Sequence, residues 1–225
     1  MCNGCEARAL SVCGSLDDDA FAGLRRLNKP VVFGARAVLF DQETPVEHVF
    51  TVVQGVARLY KLLPDGRRQI VGFALPGDFL GLALADGYGY CADAVTPVTV
   101  CRFSRQSFAE YADRHPQMLR RLYDMATHEL ALAQQQMVLL GRRDALEKLA
   151  AFLLGLQKRW ARVSGKQSAT IDLPMGRQDI ADFLGLTIET VSRTLNRMAR
   201  DKTIVIVPDG VRLLDLERLE ALAEA

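Results

Sequence analysis

The stretch of sequence that decides the fold spans residues 171–214 and reads IDLPMGRQDIADFLGLTIETVSRTLNRMARDKTIVIVPDGVRLL. Its apolar residues predict a helix over Arg177–Leu184, which ends at Gly185 because glycine readily adopts the left-handed conformation found after helices. Thr187 is a suitable N-cap for a second helix, Ile188–Arg200. Two helices joined by a short glycine-containing turn form a helix-turn-helix.

A β-hairpin is predicted directly after the second helix. Thr203–Val207 is rich in β-branched residues, Pro208–Gly210 is a turn sequence, and Val211–Leu214 is a second short apolar run. A hairpin in this place is typical of the wing of a winged helix-turn-helix. We therefore assign residues 175–214 to such a module.

The second helix presents a polar face that is either ordinary solvated surface or, in this module, a surface for double-stranded DNA. Its buried stripe is expected at Val191, Leu195 and Met198. In the first turns of a recognition helix, residues off this stripe face base edges. Arg193 suits a guanine, Glu189 suits the amino group of a cytosine, and Ser192 allows close approach to a base. Phosphates are the expected partners of the cations further along, Arg197, Arg200 and Lys202.

Residues 30–103 carry a different pattern, of short β-branched runs separated by turns. Pro64–Gly66 is a hairpin turn sequence, and Pro76–Asp78 is another turn. Several short strands at this spacing predict a small sandwich or barrel. We therefore expect an α+β protein. Its parts are a cysteine-rich segment at 1–16, a β-rich domain at 17–115, a long helix at 116–141 and the winged module within 142–225.

The long helix is predicted to run from Pro116 to about Leu140, since proline suits the first turn of a helix. One apolar face is the predicted dimer interface and carries Met118, Leu122, Met125, Leu132 and Leu139. A second apolar face carries Leu119, Ala126, Leu130, Ala133, Met137 and Leu140. A helix that is apolar on two faces must be buried on two sides. A coiled-coil homodimer with the β domain on the other side satisfies both faces, and a wholly internal helix is the alternative.

Composition excludes several classes of protein. The 225 residues are 49% hydrophobic and 24% charged, with a net charge of +1, so a DNA contact must come from a local cluster of charge. No apolar run has the length of a membrane span and the N-terminus is unlike a signal peptide, which predicts a cytoplasmic protein without a membrane partner. Nucleophile-elbow, phosphate-loop and paired metal-histidine motifs are absent from the sequence, so we do not expect an enzyme.

The order of these motifs resembles the cyclic-AMP-receptor/FNR superfamily over nearly the whole chain. The resemblance rests on GDFLG at 77–81, the long central helix and LGLTIETVSR at 184–193. It implies an N-terminal β-roll like a cyclic-nucleotide-binding domain, a dimerisation helix and a C-terminal winged helix-turn-helix. Glu-x-x-Ser-Arg is typical of FNR-like members and implies that two subunits read a TTGAT-N4-ATCAA palindrome with Glu189, Ser192 and Arg193. Contact with RNA polymerase is also expected, with Pro64–Arg68 as a candidate surface.

A cyclic nucleotide is not the expected ligand. In the superfamily, an arginine after the Gly-Asp or Gly-Glu turn usually binds the phosphate of the nucleotide. No lysine or arginine stands between Arg68 and Arg102 here. Tyr90, Cys91 and Ala92 occupy the place of the phosphate-binding residues, so the resemblance to the family does not extend to this ligand.

Cysteines are the better sensor candidates. Cys2, Cys5 and Cys13 supply three soft thiolates, which in a cytoplasmic protein select an iron–sulfur cluster, zinc or copper(I). A fourth ligand has to come from the β domain, from Cys91 or Cys101. Resemblance to FnrN- and FnrL-type oxygen sensors implies Cys101 and a [4Fe–4S] cluster that favours dimerisation and DNA binding without oxygen. The alternatives are zinc, a thiol redox switch, another small ligand in the β-roll, or no metal.

Overall fold

The computed structural model describes residues 2–81 and 86–224. The chain divides into two compact units, residues 1–131 and residues 132–225, and the boundary falls inside one long helix. Helices and strands occur in both units, so the α+β fold expected from the sequence is confirmed. None of the described helices is long and apolar enough to span a membrane.

Eight strands form the β-rich part of the first unit. They are β1 (Lys29–Phe33), β2 (Val38–Phe40), β3 (His48–Gln54), β4 (Ala57–Leu62), β5 (Arg68–Ala74), β6 (Phe79–Leu80), β7 (Cys91–Ala94) and β8 (Val98–Ser104). The strand order is β1-β8-β3-β6 in one antiparallel sheet and β2-β7-β4-β5 in the other. Both sheets contribute to one core, whose buried members include Phe40, Phe50, Val52, Ala92 and Val100.

A glycine turn carries the chain from β5 in one sheet to β6 in the other. Gly77 has a φ of 99°, which a residue with a side chain rarely adopts. Its N–H donates to the carbonyl oxygen of Val52 at 2.9 Å. The Asp78 carboxylate accepts the N–H of Leu75 at 2.8 Å and closes the turn. The Pro76–Asp78 turn predicted from the sequence is therefore confirmed.

Three helices pack against the sheet that contains β8. They are α1 (Asp18–Leu27), α2 (Arg105–Asp113) and α3 (Pro116–Arg142), which continues into the second unit. Asp17 caps α1 by accepting the N–H of Ala20 at 2.8 Å. Leu24, Phe108 and Met118, one from each helix, meet in a second apolar core.

The N-terminal segment is folded against this second core. It contains 3₁₀ turns at Cys2–Gly4 and Val12–Ser15. Val12 is fully buried in the core and Ala7 is 1% exposed. The few apolar side chains of this segment therefore bury against α1 and α3.

The second unit contains the winged module. After the end of α3 come α4 (Ala145–Ser164), β9 (Thr170–Asp172), α5 (Arg177–Leu184), α6 (Ile188–Arg200), β10 (Ile204–Val207), β11 (Gly210–Leu213) and α7 (Leu216–Glu224). β9, β10 and β11 form a small antiparallel sheet in the order β10-β11-β9. α5 and α6 begin and end at the predicted residues, and β10 and β11 form the predicted wing. α7 was not predicted.

Candidate functional site

The turn between α5 and α6 sets the position of the candidate recognition helix. Gly185 adopts the left-handed conformation, with φ of 62° and ψ of 41°. Thr187 then caps α6, because its Oγ1 accepts the N–H of Thr190 at 3.2 Å. The inward stripe of α6 is buried at Val191, Leu195 and Met198. Local hydrogen bonds and this apolar stripe together hold α6 with its polar face outward.

The three predicted base-reading residues lie in the first two turns of α6. Glu189 and Arg193 are exposed, and Ser192 is half-buried. Hydrogen bonds from the backbone N–H of Glu189 and from the side chain of Thr187 lower the pKa of the Glu189 carboxyl. The carboxylate is therefore ionised at neutral pH and can accept a hydrogen bond from a base amino group. Arg193 contacts Thr190 Oγ1 through Nη2 at 3.5 Å.

Cations cluster at the end of α6. Arg197, Arg200 and Lys202 are all exposed. Arg197 Nε lies 3.9 Å from Asp201 Oδ2, and Arg218 Nη2 lies 3.6 Å from the same oxygen. One carboxylate thus faces two arginines, so this surface keeps a net positive charge. Such a surface suits phosphate groups that flank the bases.

The four predicted cysteine ligands lie in one neighbourhood of the first unit. Burial, followed by the charges of Cys2, Cys13 and Cys5, raises the pKa of the Cys101 thiol to about 12. Burial also raises the pKa of the Cys13 thiol, and Cys5 and Cys2 again contribute. Cys13 and Cys101 also pack in the same apolar core, so the fold brings the N-terminal segment and β8 together at this place.

Asn28 lies beside two of these thiols, whereas Cys91 does not join them. The Nδ2 of Asn28 donates to Cys2 Sγ at 3.9 Å, and its side chain also hydrogen-bonds Cys101. Cys91 lies in the other sheet, on β7, where its Sγ accepts the N–H of Gln42 at 3.2 Å. The structure thus separates the two candidates for a fourth ligand and groups Cys101 with the N-terminal cysteines.

One apolar face of α3 is already covered within the chain. Met118 is 0% exposed and Leu122 is 9% exposed, because both pack in the second core of their own unit. Leu139 is 8% exposed, and Met125 and Leu132 are half-buried. Met118, Leu122 and Met125 thus contribute to packing inside one subunit, and the five-residue dimer interface stays a prediction.

The opposite face of α3 is an exposed apolar row, which we call the α3 seam. Its members are spaced alternately by four and three residues and are Leu119, Tyr123, Ala126, Leu130, Ala133, Met137 and Leu140. Tyr123 is 72% exposed, Met137 71% and Leu130 60%. This spacing is that of the a and d positions of a coiled coil. The sequence had identified this second face, apart from Tyr123, but had not assigned it to the dimer.

Comparisons with known proteins agree with this architecture. Residues 30–115 match the family model of the cyclic nucleotide-binding domain, and residues 147–222 match that of the Crp-like helix-turn-helix domain. The transcriptional activatory protein AadR of Rhodopseudomonas palustris is 55% identical over 98% of this chain and 92% of its own. The chain belongs to the CRP/FNR family of transcription regulators.

Further members of the CRP/FNR family support this assignment. The nitrogen fixation regulation protein FixK of Bradyrhizobium diazoefficiens is 50% identical over 100% of this chain and 94% of its own. The solved structure of FixK2 from Bradyrhizobium japonicum is 36% identical, with a TM-score of 0.81 over 88% of this chain and 98% of that chain. The protein is therefore a DNA-binding regulator and not an enzyme, and the resemblance found in the sequence is confirmed.

Sequence reasoning missed one residue at the predicted DNA surface of this CRP/FNR regulator. Arg177 is the first residue of α5, and its Nη1 donates to Ser192 Oγ on α6 at 3.1 Å. The arginine thus joins the start of one helix to a predicted base-reading residue of the next. The sequence did contain a signal for Arg177. A cation in the first turn of a helix interacts unfavourably with the helix dipole, which indicates that the arginine has another role.

The cysteine neighbourhood can be tested for fit to the iron–sulfur cluster that the resemblance implies. Its donors are soft thiols, as such a cluster requires. Asn28 Oδ1 and Thr51 Oγ1 are buried without a hydrogen-bond partner, and Thr51 lies directly opposite Cys101 in the β3–β8 register. Within residues 2–81 and 86–224, no three His, Cys, Asp or Glu side chains converge closely enough to hold one metal ion as they stand. The four thiols therefore match the cluster in their chemistry and lie in one part of the first unit, but they are not arranged as a finished ligand set.

Proposed function

We propose that this CRP/FNR regulator is a cytoplasmic, oxygen-responsive transcriptional activator. The observation that carries the proposal is that Cys2, Cys5 and Cys13 stand on a segment that packs beside Cys101, which is remote from them in the sequence. Cys13 shares an apolar core with Cys101, and the Asn28 side chain hydrogen-bonds both Cys2 and Cys101. Four thiolates are the usual ligand set of a [4Fe–4S] cluster, and these four would hold it. The relative AadR is named as an activatory protein, which supports the direction of the regulation.

The cysteines would fasten the N-terminal segment to the sheet. When bound, the cluster supplies an oxygen-labile link between this segment and β8. Cys2, Cys5 and Cys13 hold the segment from one side, and Cys101 holds it from β8. Asn28 donates its amide N–H to sulfur and orients the thiolates from outside the ligand set. The segment shares its core with the start of α3, so fastening it also stabilises that part of the helix.

The α3 seam is the surface on which two subunits would pair. It carries no charged side chain at any of its seven positions. Ala126 and Ala133 are small, which allows the two helices to approach closely between the larger Leu130 and Met137. An isologous contact of this kind gives a homodimer with two-fold symmetry. Ordering of the N-terminal segment would shift the equilibrium between monomer and dimer.

Two recognition helices in such a dimer would read two half-sites about one turn of DNA apart. We assign Glu189, Ser192 and Arg193 to the bases of a TTGAT-N4-ATCAA-type palindrome. Arg197, Arg200 and Lys202 are assigned to its phosphates. Residues 64–67 of the β4–β5 hairpin at Pro64–Arg68 are exposed, and this hairpin would contact RNA polymerase.

A cyclic nucleotide is not part of the proposal. Arg58, an interior cation of the β-roll, is held by Asp93 through contacts of 2.9 Å and 2.5 Å. Both side chains are largely buried, and the carboxylate neutralises the guanidinium. Recognition of a nucleotide phosphate by Arg58 would require this pair to separate, which is costly in a buried place.

Anaerobic spectroscopy tests the proposal. Protein purified without oxygen is expected to be straw-brown, to contain iron and sulfide, and to bleach in air. Gel shifts on the palindromic duplex are expected to show tighter binding before air exposure than after it. Colourless anaerobic protein with stoichiometric zinc would contradict the cluster. Equal binding of the brown and the bleached protein would contradict control by oxygen.

A further inference from the structure

Arg121 connects α3 directly to the cysteine-bearing segment. Its Nη2 donates to the backbone carbonyl oxygen of Leu10 at 2.7 Å, and the arginine is half-buried. Leu10 lies between Cys5 and Cys13, so the contact joins the loop that these cysteines bracket to the second turn of α3. A hydrogen bond from a charged donor is about twice as strong as a neutral one.

Leu10 is fixed from its other side by the β-roll. A Cβ placed on Gly77 would lie 2.5 Å from the Cβ of Leu10, so the leucine packs directly against the glycine turn before β6. The Leu10 N–H donates to the carbonyl oxygen of Ala7 at 3.2 Å, and the Ser11 N–H donates to it at 3.1 Å. The Leu10 carbonyl is therefore held in place for Arg121 while the segment is ordered.

Arg121 and the α3 seam lie on opposite sides of the same helical turn. Leu119 and Tyr123, the first two seam residues, are each two positions from Arg121. Two positions correspond to about 200° around an α-helix, so the arginine faces the segment while the seam faces away. One turn of α3 thus carries both the contact to the cysteine loop and the start of the proposed dimer interface.

We propose that Arg121 is a positioning residue that couples the order of residues 5–13 to the α3 seam. The role in oxygen control rests on the proposed function, whereas the contact itself involves only protein atoms. While the loop is ordered, the Leu10 carbonyl holds the guanidinium and the first turns of α3 stay in register with the core. When the loop detaches, the half-buried cation loses its acceptor and must turn toward water. That movement loosens the turn that carries Leu119 and Tyr123.

The test uses three variants of the full chain, each purified without oxygen so that the loop starts from its ordered state. Arg121→Met keeps the apolar stem and removes the donor, and Arg121→Lys restores a cation. Arg114→Met is the matched control, because Arg114 also donates to a backbone carbonyl, that of Glu110, but within one helical stretch. Hydrogen exchange of the Leu10–Gly14 amides reports the loop. Sedimentation equilibrium reports the dimer dissociation constant.

Arg121→Met is expected to speed exchange of the Leu10–Gly14 amides about tenfold and to weaken the dimer by a similar factor. Arg121→Lys should recover part of both effects. Arg114→Met should leave loop exchange and dimer affinity unchanged, and exchange of the β3 amides should be unchanged in every variant. Unaltered loop exchange in Arg121→Met would overturn the proposal, as would faster exchange with an unaltered dimer. A wild-type chain that is monomeric at every concentration would instead contradict the proposed homodimer. Colourless anaerobic protein would contradict only the cluster.

Discussion

The helix-turn-helix and the cysteine site are held together by contacts of very different range. Gly185, Thr187 and the stripe of α6 lie close together in the sequence, and each contact joins near neighbours along the chain. The cysteine site joins the N-terminal segment to Asn28 and to Cys101 on β8. One region can thus form from local contacts, whereas the other requires most of the first unit to be folded.

This difference predicts which substitutions change base preference and which change the amount of dimer. The DNA-reading residues depend on one turn and one cap, so substitutions in the first unit should leave base preference intact. The cysteine site depends on distant partners, so its loss should alter how much dimer forms rather than which sequence it reads. Under the proposed function, DNA reading and oxygen sensing should therefore be separable, and variants can be chosen that affect one without the other.

The largest effect is expected for Cys101→Ser, which removes the ligand on β8. Serine is close to cysteine in size but is a hard donor, so the variant should lose the visible absorption and most of the bound iron. Its DNA affinity should become equal with and without oxygen. Base preference should be unchanged, because α6 has no part in the cysteine site. Anaerobic absorption spectra, iron analysis and gel shifts check these outcomes.

Cys91→Ser is the matched control for Cys101→Ser. Both thiols are buried, at 1% and 8% exposure, and both lie on strands of the β-roll. Cys91 accepts from the Gln42 N–H, and a serine hydroxyl can accept the same hydrogen bond. The control should therefore keep its colour. Loss of colour in Cys91→Ser with retention in Cys101→Ser would reverse the assignment of the fourth ligand.

The next effect is expected for Leu130→Glu in the α3 seam. Two-fold symmetry would bring two like charges together, which costs several kcal/mol, so the dimer should weaken by about 100-fold or more. Gln135→Glu introduces the same charge on the exposed side of α3 away from the seam and should leave the dimer intact. Sedimentation equilibrium measures both. If Gln135→Glu weakened the dimer as much as Leu130→Glu, the seam would not be the interface.

The contrast between local and long-range contacts also explains which parts of the structure could be predicted from the sequence. The bounds of α5 and α6 followed from a glycine, a cap and one apolar stripe, all of which act locally. β7 carries no strand signal in the sequence, because Cys91–Ala94 contains no β-branched residue, although all of its residues are buried. Small side chains fit there because β7 lies between β2 and β4 in a closely packed sheet. That requirement comes from neighbours that are remote in sequence.

α3 shows most clearly what cannot be predicted from the sequence alone. Both of its faces are apolar, and periodicity alone cannot tell which one covers the protein's own core. The answer depends on Leu24 and Phe108, which pack with Met118 only after the unit has folded. The partners of the cysteines could be assigned only by resemblance for the same reason. Asn28 and Arg121 carried no local signal, since their contacts lie 26 and 111 residues away.

The smallest of the three effects is expected for Arg193→Ala, and it tests whether reading is independent of sensing. Loss of a two-point contact to a guanine should cost about 1–3 kcal/mol and should relax the preference at that base. Arg200→Ala should instead weaken binding to all sequences alike. It should also reduce the slope of the logarithm of the binding constant against the logarithm of salt concentration by about one. Gel shifts on single-base variants of the palindrome, at two salt concentrations, distinguish the two arginines. Both variants should keep the ratio of anaerobic to aerobic affinity, because neither touches the first unit. A changed ratio in Arg193→Ala would show that the two regions are coupled more tightly than their separate contacts indicate.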